Sequence, residues 1–295
     1  MNAAQSPASV AGVLAAASAR LEPSASAALD AQLLLAHVLG RSRSAVLAGG
    51  GETVAPAHSA ELARLLERRA RGEPLAYITG RREFWSLELQ VSNAVLVPRP
   101  ETELVVERAL ALLGSPGAEV ADLGTGSGAI ALALACERPQ WRLTATDRSP
   151  AALAIATANA RALHIDNAYF LASDWYGALA GRRFALIASN PPYIAAGDAA
   201  LEAPALRHEP LPALASGTTG LEHLAALIAG APAHLLDAGW LVLEHGATQA
   251  AAVAELLVQQ GFGHVRCHAD LAGLARVTEA QCMPAESSTR QSPPS

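Results

Sequence analysis

The chain has 295 residues, of which 51% are hydrophobic and only 16% charged, with a formal net charge of −6. It contains no lysine, so its permanent side-chain cations are all arginine, which excludes Schiff-base enzymes and phosphate loops of the GxxxxGK[ST] type. The acidic balance, with a pI near 5.8, argues against direct nucleic-acid binding, which draws on a basic face.

Residues 11–21 form the first predicted helix, alanine-rich and broken by Pro23-Ser24. No cation precedes Arg20, so the apolar stretch 10–19 lacks the charged start of a signal peptide. Ser26 caps a second helix that runs to Gly40, and a third covers 56–71, with Leu62, Leu65 and Leu66 on one stripe, before Gly72-Glu73-Pro74 stops it. These helices make a small domain over 1–80. The pattern then turns β-like, with runs at 84–89 and 95–97 separated by Ser92-Asn93; this reads as a β-hairpin linker over 81–100, closed by Ser-Asn. A helix follows over 101–113.

From Glu119 strands and helices alternate. Strands are expected at 120–122, 142–146, 169–171, 184–189, 240–244 and 264–267, and helices at 127–136, 150–163, 221–236 and 248–260. Such alternation implies a mainly parallel sheet covered by helices on both faces, an α/β domain over 101–283. Residues 284–295, rich in Ser, Pro and Gln, are expected to be disordered. No apolar run approaches the ~20 residues of a membrane span. The three cysteines, Cys136, Cys267 and Cys282, are scattered and suit a reducing compartment. A cytoplasmic monomer without metal is expected.

Two loops carry chemistry. The first strand of the α/β domain runs through Asp122-Leu123 into Gly124-Thr125-Gly126-Ser127-Gly128 and then a helix, an arrangement that brings backbone N–H groups close to a ligand. The spacing fits a dinucleotide loop, since Ala129 completes GxGxx[GA], and equally an S-adenosylmethionine loop. Asp147, at the end of the next strand, can accept both ribose hydroxyls of either cofactor. Asp174 and Trp175 can bond and stack on an adenine.

The second loop is Asn190-Pro191-Pro192-Tyr193, at the end of the buried strand 184–189. Two prolines stiffen it and leave carbonyls without competing N–H donors. A planar NH2 conjugated to a carbonyl or a heteroaromatic ring is a poor nucleophile because its lone pair is delocalised. The Asn190 side-chain oxygen and the Pro191 carbonyl can hold its two hydrogens while Tyr193 stacks on the planar group, which turns the lone pair toward an electrophilic methyl. A dehydrogenase has no use for such a loop, and this tips the cofactor to S-adenosylmethionine. A methyltransferase acting on an adenine or guanine amino group and, more remotely, a nicotinamide oxidoreductase remain the alternatives.

In these two loops the chain resembles the peptide chain release factor N(5)-glutamine methyltransferases. Further segments that carry the likeness are Glu73 to Gly80, Phe84-Trp85, Val97-Pro98-Arg99-Pro100-Glu101-Thr102-Glu103, Ser173-Asp174-Trp175 and Leu243-Glu244-His245-Gly246. The resemblance implies a Rossmann-like class I domain with a seven-stranded, mostly parallel sheet and a helical N-terminal domain that recognises the release factor. It also implies that Gly124, Thr125, Gly126, Ser127, Gly128, Asp147, Asp174, Trp175 and Asn190 line S-adenosylmethionine. Asn190, Pro191, Pro192 and Tyr193 would hold the glutamine of a Gly-Gly-Gln loop in a class I release factor, giving N(5)-methylglutamine and S-adenosylhomocysteine. Arg99, Glu101 and Glu103 either favour a helix N-terminus or gate the cofactor side. Near the end, Asp270, Gly273 and Arg276 keep the family's frame, but Glu279 and the Pro/Ser tail replace its usual ending and leave the last strand open.

Overall fold

The computed structural model describes residues 9–284. Residues 285–295, nearly all of the tail expected to be disordered, lie outside the described residues. The described chain forms two compact units: 9–81 joined by Glu202–His208, and Arg82–Leu201 joined by 209–284.

The first unit is helical: α1 (Val10–Leu21), α2 (Ala27–Leu39), α3 (Arg43–Ala48), α4 (Pro56–Ala70) and α5 (Leu75–Thr79). Its core is aliphatic, with Leu34, Leu35, Leu62, Leu65, Leu66 and Ile78 all buried. A buried carboxylate in this unit, Asp30, is answered by Arg69 at 2.7 Å and by the Ser26 hydroxyl at 2.9 Å, the pairing that a charge removed from water requires. Ser26 thus bonds the Asp30 side chain rather than capping a backbone N–H. Sequence reading missed α3, which Ser42 caps, and α5, which begins directly after the stop at Pro74. It gave no sign that 202–208 joins this unit, where Pro204 packs on Gly72, which has φ +90° and where a Cβ would stand 3.0 Å from the proline Cβ.

The second unit opens on a hairpin, β1 (Arg81–Phe84) and β2 (Leu87–Gln90). Its turn is Trp85-Ser86, not Ser92-Asn93 as expected. Both turn residues have positive φ, 50° and 59°, with no glycine or asparagine to announce a primed turn. The conformation is held from outside: Glu103 accepts the Trp85 N–H at 2.8 Å, and the indole N–H donates to Glu137 at 2.8 Å. After a 3-10 turn at Pro100–Thr102 come α6 (Glu103–Leu112), β3 (Glu119–Leu123), α7 (Ala129–Glu137), β4 (Arg142–Asp147), α8 (Pro150–Ala162), β5 (Ala168–Ala172), β6 (Phe184–Ser189), α9 (Glu222–His234), β7 (Leu235–Glu244), α10 (Ala250–Gln259), β8 (Phe262–Ala269) and β9 (Ala275–Cys282).

Seven of these strands form one sheet in the order β5-β4-β3-β6-β7-β9-β8, parallel from β5 to β7 and antiparallel at β9 and β8. Both faces are covered by apolar clusters, which is why β3 and β6 read as continuous hydrophobic runs. Leu235 and Leu236, expected in a helix, begin β7, where Leu235 pairs with Phe184. The last strand is formed. Its Glu279, which breaks the hydrophobic pattern, is buried and held by Arg108 at 2.9 Å.

Chain order reverses between β3 and β6. In an open α/β sheet the loops leaving two such strands diverge to opposite faces and open a crevice at their carboxyl ends. Those loops begin at Gly124 and Asn190.

Candidate active site

The crevice holds a cavity of about 430 Å³, large enough for a nucleoside-sized ligand. Of the residues singled out from sequence, Gly124, Thr125, Gly126, Ser127, Asp147, Asp174, Trp175, Asn190 and Pro192 line it. Gly128, Pro191 and Tyr193 do not.

The two loops are tied at their roots, where the Ser189 hydroxyl donates to the Leu123 carbonyl at 2.6 Å. Beyond that point the glycine loop depends on left-handed backbone, with φ of +77°, +56° and +87° at Gly124, Gly126 and Gly128, a region costly for residues with a Cβ. A Cβ at Gly124 would stand 3.2 Å from the Trp175 ring, while one at Gly126 would meet nothing within 4 Å, so Gly126 leaves open space on the ligand side. Gly128 is packed beneath the floor, its Cα facing Leu132 and Ala156. Asp147 accepts from the Gly126 N–H at 2.9 Å and from the Ser149 N–H at 2.8 Å, one bond per oxygen. Each oxygen keeps capacity for a ligand hydroxyl.

Under this loop lies Asp122, fully buried. Its Oδ2 accepts from the Thr125 hydroxyl at 2.6 Å and the Ala131 N–H at 3.2 Å, while Oδ1 has no partner among the described residues. Burial outweighs both bonds, and the carboxyl is pushed up to about 7.

Trp175 sits at φ 45°, a left-handed backbone unusual for so large a side chain. The Ser173 hydroxyl holds it there by donating to the Trp175 carbonyl at 2.9 Å. The strain turns the indole onto the cavity wall beside Gly124, with the His223 ring 5.4 Å away at 60°. Burial holds His223 below its ordinary pKa, so this wall is aromatic and uncharged at neutral pH.

Asn190 donates its side-chain N–H to the Thr102 hydroxyl at 3.0 Å. That bond fixes which way the amide faces and leaves Oδ1 as the acceptor for a ligand. Tyr193 packs, partly buried, against the apolar cluster on one face of the sheet. Its hydroxyl meets Glu244 at 3.2 Å, and its backbone carbonyl accepts from the Gln249 side chain at 3.0 Å. Gln249 also bonds the Gly220 carbonyl and the Gly246 N–H, so it braces the back of the loop.

Gly220 is equally constrained: at φ +80°, a Cβ would come 2.5 Å from the Tyr193 carbonyl oxygen and 3.1 Å from the Ala195 nitrogen. Gly220→Ala therefore combines left-handed strain with a backbone displacement, and a loss of about 2 kcal/mol is expected in urea unfolding. A variant as stable as the parent would show that the brace is soft.

Sequence reading missed Pro98, Thr102, Pro210, Pro212 and His223, all on the cavity wall. For Thr102 a signal exists: it lies inside the 97–103 segment, among the charged residues Arg99, Glu101 and Glu103. Of those, Arg99 pairs with the buried Glu209, whose other oxygen accepts the Val97 N–H at 3.1 Å, and Glu103 holds the hairpin turn. Only Thr102 reaches Asn190. Pro98 comes from the same segment, while Pro210, Pro212 and His223 arrive from parts of the chain remote in sequence.

Comparison with known proteins agrees with the fold and identifies the family. Residues 12–80 match the model of the PrmC N-terminal domain, and 102–205 that of the methyltransferase small domain. The release factor glutamine methyltransferase of Xylella fastidiosa is 51% identical over 271 residues, 92% of this chain and 97% of that one. Its counterpart in Pseudomonas aeruginosa is 49% identical over 89% of this chain and 95% of that one. The chain belongs to the release factor glutamine methyltransferase family. At the level of fold alone, a methyltransferase from Pyrococcus furiosus superposes with a TM-score of 0.52 at 18% identity, over 77% of this chain and all of that one. Family membership accounts for the pairing of a helical unit with a Rossmann-like sheet. Among the described residues no helix is long and apolar enough to cross a membrane, and no cluster of side chains is arranged to hold a metal.

Proposed function

We infer that this family member transfers a methyl group from S-adenosylmethionine to the side-chain amide nitrogen of the glutamine in the Gly-Gly-Gln motif of a class I release factor. The observation that carries the reading is the amide orientation of Asn190. With its N–H given to Thr102, the side chain offers an oxygen, which suits a substrate NH2 and not a substrate carbonyl. The glycine loop, the Asp147 carboxylate and the Trp175–His223 wall fit an adenosine: hydroxyl acceptors beside an aromatic surface.

In this reading Asn190 Oδ1 and the Pro191 carbonyl accept the two amide hydrogens. Held this way, the nitrogen gives up conjugation and points its lone pair at the carbon to be transferred. S-adenosylmethionine, when bound, supplies that electrophilic carbon on a sulfonium. The N–C bond forms as the S–C bond breaks, S-adenosylhomocysteine leaves, and the nitrogen releases one proton to solvent. The protein's part is positioning and electrostatic support of positive charge developing on nitrogen. The helical unit over 9–81 is assigned to recognition of the release factor, a protein partner working in the cytoplasm.

The test is incubation with S-adenosylmethionine and a purified release factor, followed by mass analysis of the Gly-Gly-Gln peptide. A gain of one CH2 on the glutamine is expected. An unmodified peptide, with label appearing on nucleic acid instead, would refute the substrate assignment.

A further inference from the structure

Glu244 ends β7 directly behind the Asn190 loop, and nothing in the reaction as written uses it. Its side chain is buried, with the residue only 1% exposed. Oε1 meets the Tyr193 hydroxyl at 3.2 Å, while Oε2 closes no hydrogen bond among the described residues. The Thr102 hydroxyl stands beside the same carboxyl and favours its charged form. Thr102 is also the residue that receives the Asn190 N–H. A buried carboxylate with one unsatisfied oxygen is costly, and its two hydroxyl neighbours both belong to the machinery around one amide.

We propose that Glu244 is a positioning residue for methyl transfer: its carboxylate orients the Thr102 hydroxyl, which orients the Asn190 amide, and at the same time anchors Tyr193. The inference rests on the reading of Asn190 as the group that holds the substrate amide. Its physical basis is the directionality of the hydrogen bonds. A hydroxyl has one proton to give. When Thr102 gives that proton to the carboxylate, its lone pairs are left to accept from Asn190, and Asn190 Oδ1 is left to accept from the substrate. When Glu244 is protonated it becomes a donor itself. It can then point its proton at the Thr102 or Tyr193 oxygen and release Thr102 to turn. The array loses its single direction, and Asn190 loses the partner that distinguishes its oxygen from its nitrogen.

The groups that face Glu244 decide when this happens. Burial raises its pKa to about 7, aided by Glu101, while the Thr102 and Tyr193 hydroxyls and Arg276 on β9 oppose the rise. The ionised form therefore gains ground as pH rises through neutrality, and kcat should rise with it. Asp122 titrates in the same range but sits beneath the cofactor loop, so its effect belongs to cofactor affinity, not to kcat.

The experiment compares the full-length parent, Glu244→Gln, Thr102→Val and Thr102→Ser on a release factor, with kcat measured from pH 5.5 to 8.5. Binding of S-adenosylhomocysteine is measured alongside by calorimetry. The Glu244→Gln variant keeps the side chain's size but cannot titrate. We expect it to lower kcat between about ten- and a hundredfold at pH 8, to abolish the rise through neutral pH, and to leave S-adenosylhomocysteine affinity within about threefold. Thr102→Val should lower kcat and flatten its pH dependence in the same way, Thr102→Ser should keep the pH-dependent rise, and the double variant of Glu244→Gln with Thr102→Val should have a kcat no worse than the poorer single one. Retention of the parent's kcat and pH profile in Glu244→Gln would overturn the proposal, as would losses that multiply in the double variant. Failure of the parent itself to methylate glutamine would instead sink the reading of Asn190 on which the proposal stands.

Discussion

Asn190→Ala lowers kcat by at least about 10²–10³-fold while the protein still binds S-adenosylhomocysteine; that is the expected result if the loop works by holding an amide. The magnitude is that of removing one oriented polar partner from a charge-developing transition state. The separation of effects follows from geometry. Asn190 contributes one side of a cavity whose glycine loop, Asp147 and Trp175 remain in place without it. Alanine removes both the acceptor for the substrate and the donor that satisfies Thr102, yet Asn190 is only half-buried and its backbone stays locked by Pro191 and by the Ser189 anchor on Leu123. Fold and cofactor affinity should therefore survive. Single-turnover methylation of a release factor, read by mass, measures the first quantity, and calorimetry the second. Full activity would remove Asn190 from the chemistry, and equal losses in turnover and cofactor binding would make it part of the cofactor wall alone. Asn190→Asp is a sharper variant: it offers acceptors to the substrate but no N–H to Thr102, so any rescue measures how much the fixed orientation matters.

Most of what makes this site recognisable is local in sequence, and most of what sets its geometry is not. The glycine loop and the Asn-Pro-Pro-Tyr loop could be read because each follows a strand apolar enough to announce itself, and because strand ends at a switch point are where such folds place ligands. Asp147 came from the same logic. Thr102, Glu244 and His223 were out of reach as partners, since their roles come from contacts across 51 to 88 residues, or from two rings meeting across the cavity. Tyr193 could be read by type as an aromatic that stacks on a planar group, but its hydroxyl bond to Glu244, 51 residues away, leaves no local signal. The hairpin failed for a different reason. Trp85 and Ser86 take up positive φ only because Glu103 and Glu137 hold the tryptophan from two helices, and no local propensity records that. At β9 the pattern was broken by Glu279, whose burial makes sense only once Arg108 is seen beside it.

The buried Asp122 carries the second large effect, a dependence of stability on pH with an unusual sign. A folded carboxyl at about 7, against roughly 3.9 in an unfolded chain, means that the native state binds the extra proton. Stability from this group is full below about pH 4 and is lost steadily as pH rises toward 7, beyond which no more is lost. At ~1.4 kcal/mol per unit, the part of that window between pH 5 and pH 8 amounts to about 3 kcal/mol. The effect is clearest as a difference between two proteins. Asp122→Asn imitates the protonated acid: its oxygen can take the bonds from the Thr125 hydroxyl and the Ala131 N–H, and its NH2 occupies the place of the unpartnered Oδ1. It should therefore lie close to the parent in stability below about pH 4, and its advantage should grow by about 3 kcal/mol between pH 5 and pH 8, measured by urea unfolding of the ligand-free protein. Glu244, raised to about 7 by the same burial, should give Glu244→Gln a similar trend, and the two should add because the carboxyls lie under different loops. Parallel curves for Asp122→Asn and parent across that range would show that Asp122 is ionised in the native protein. In that case burial would not be setting its charge, and the cofactor loop would rest on a carboxylate.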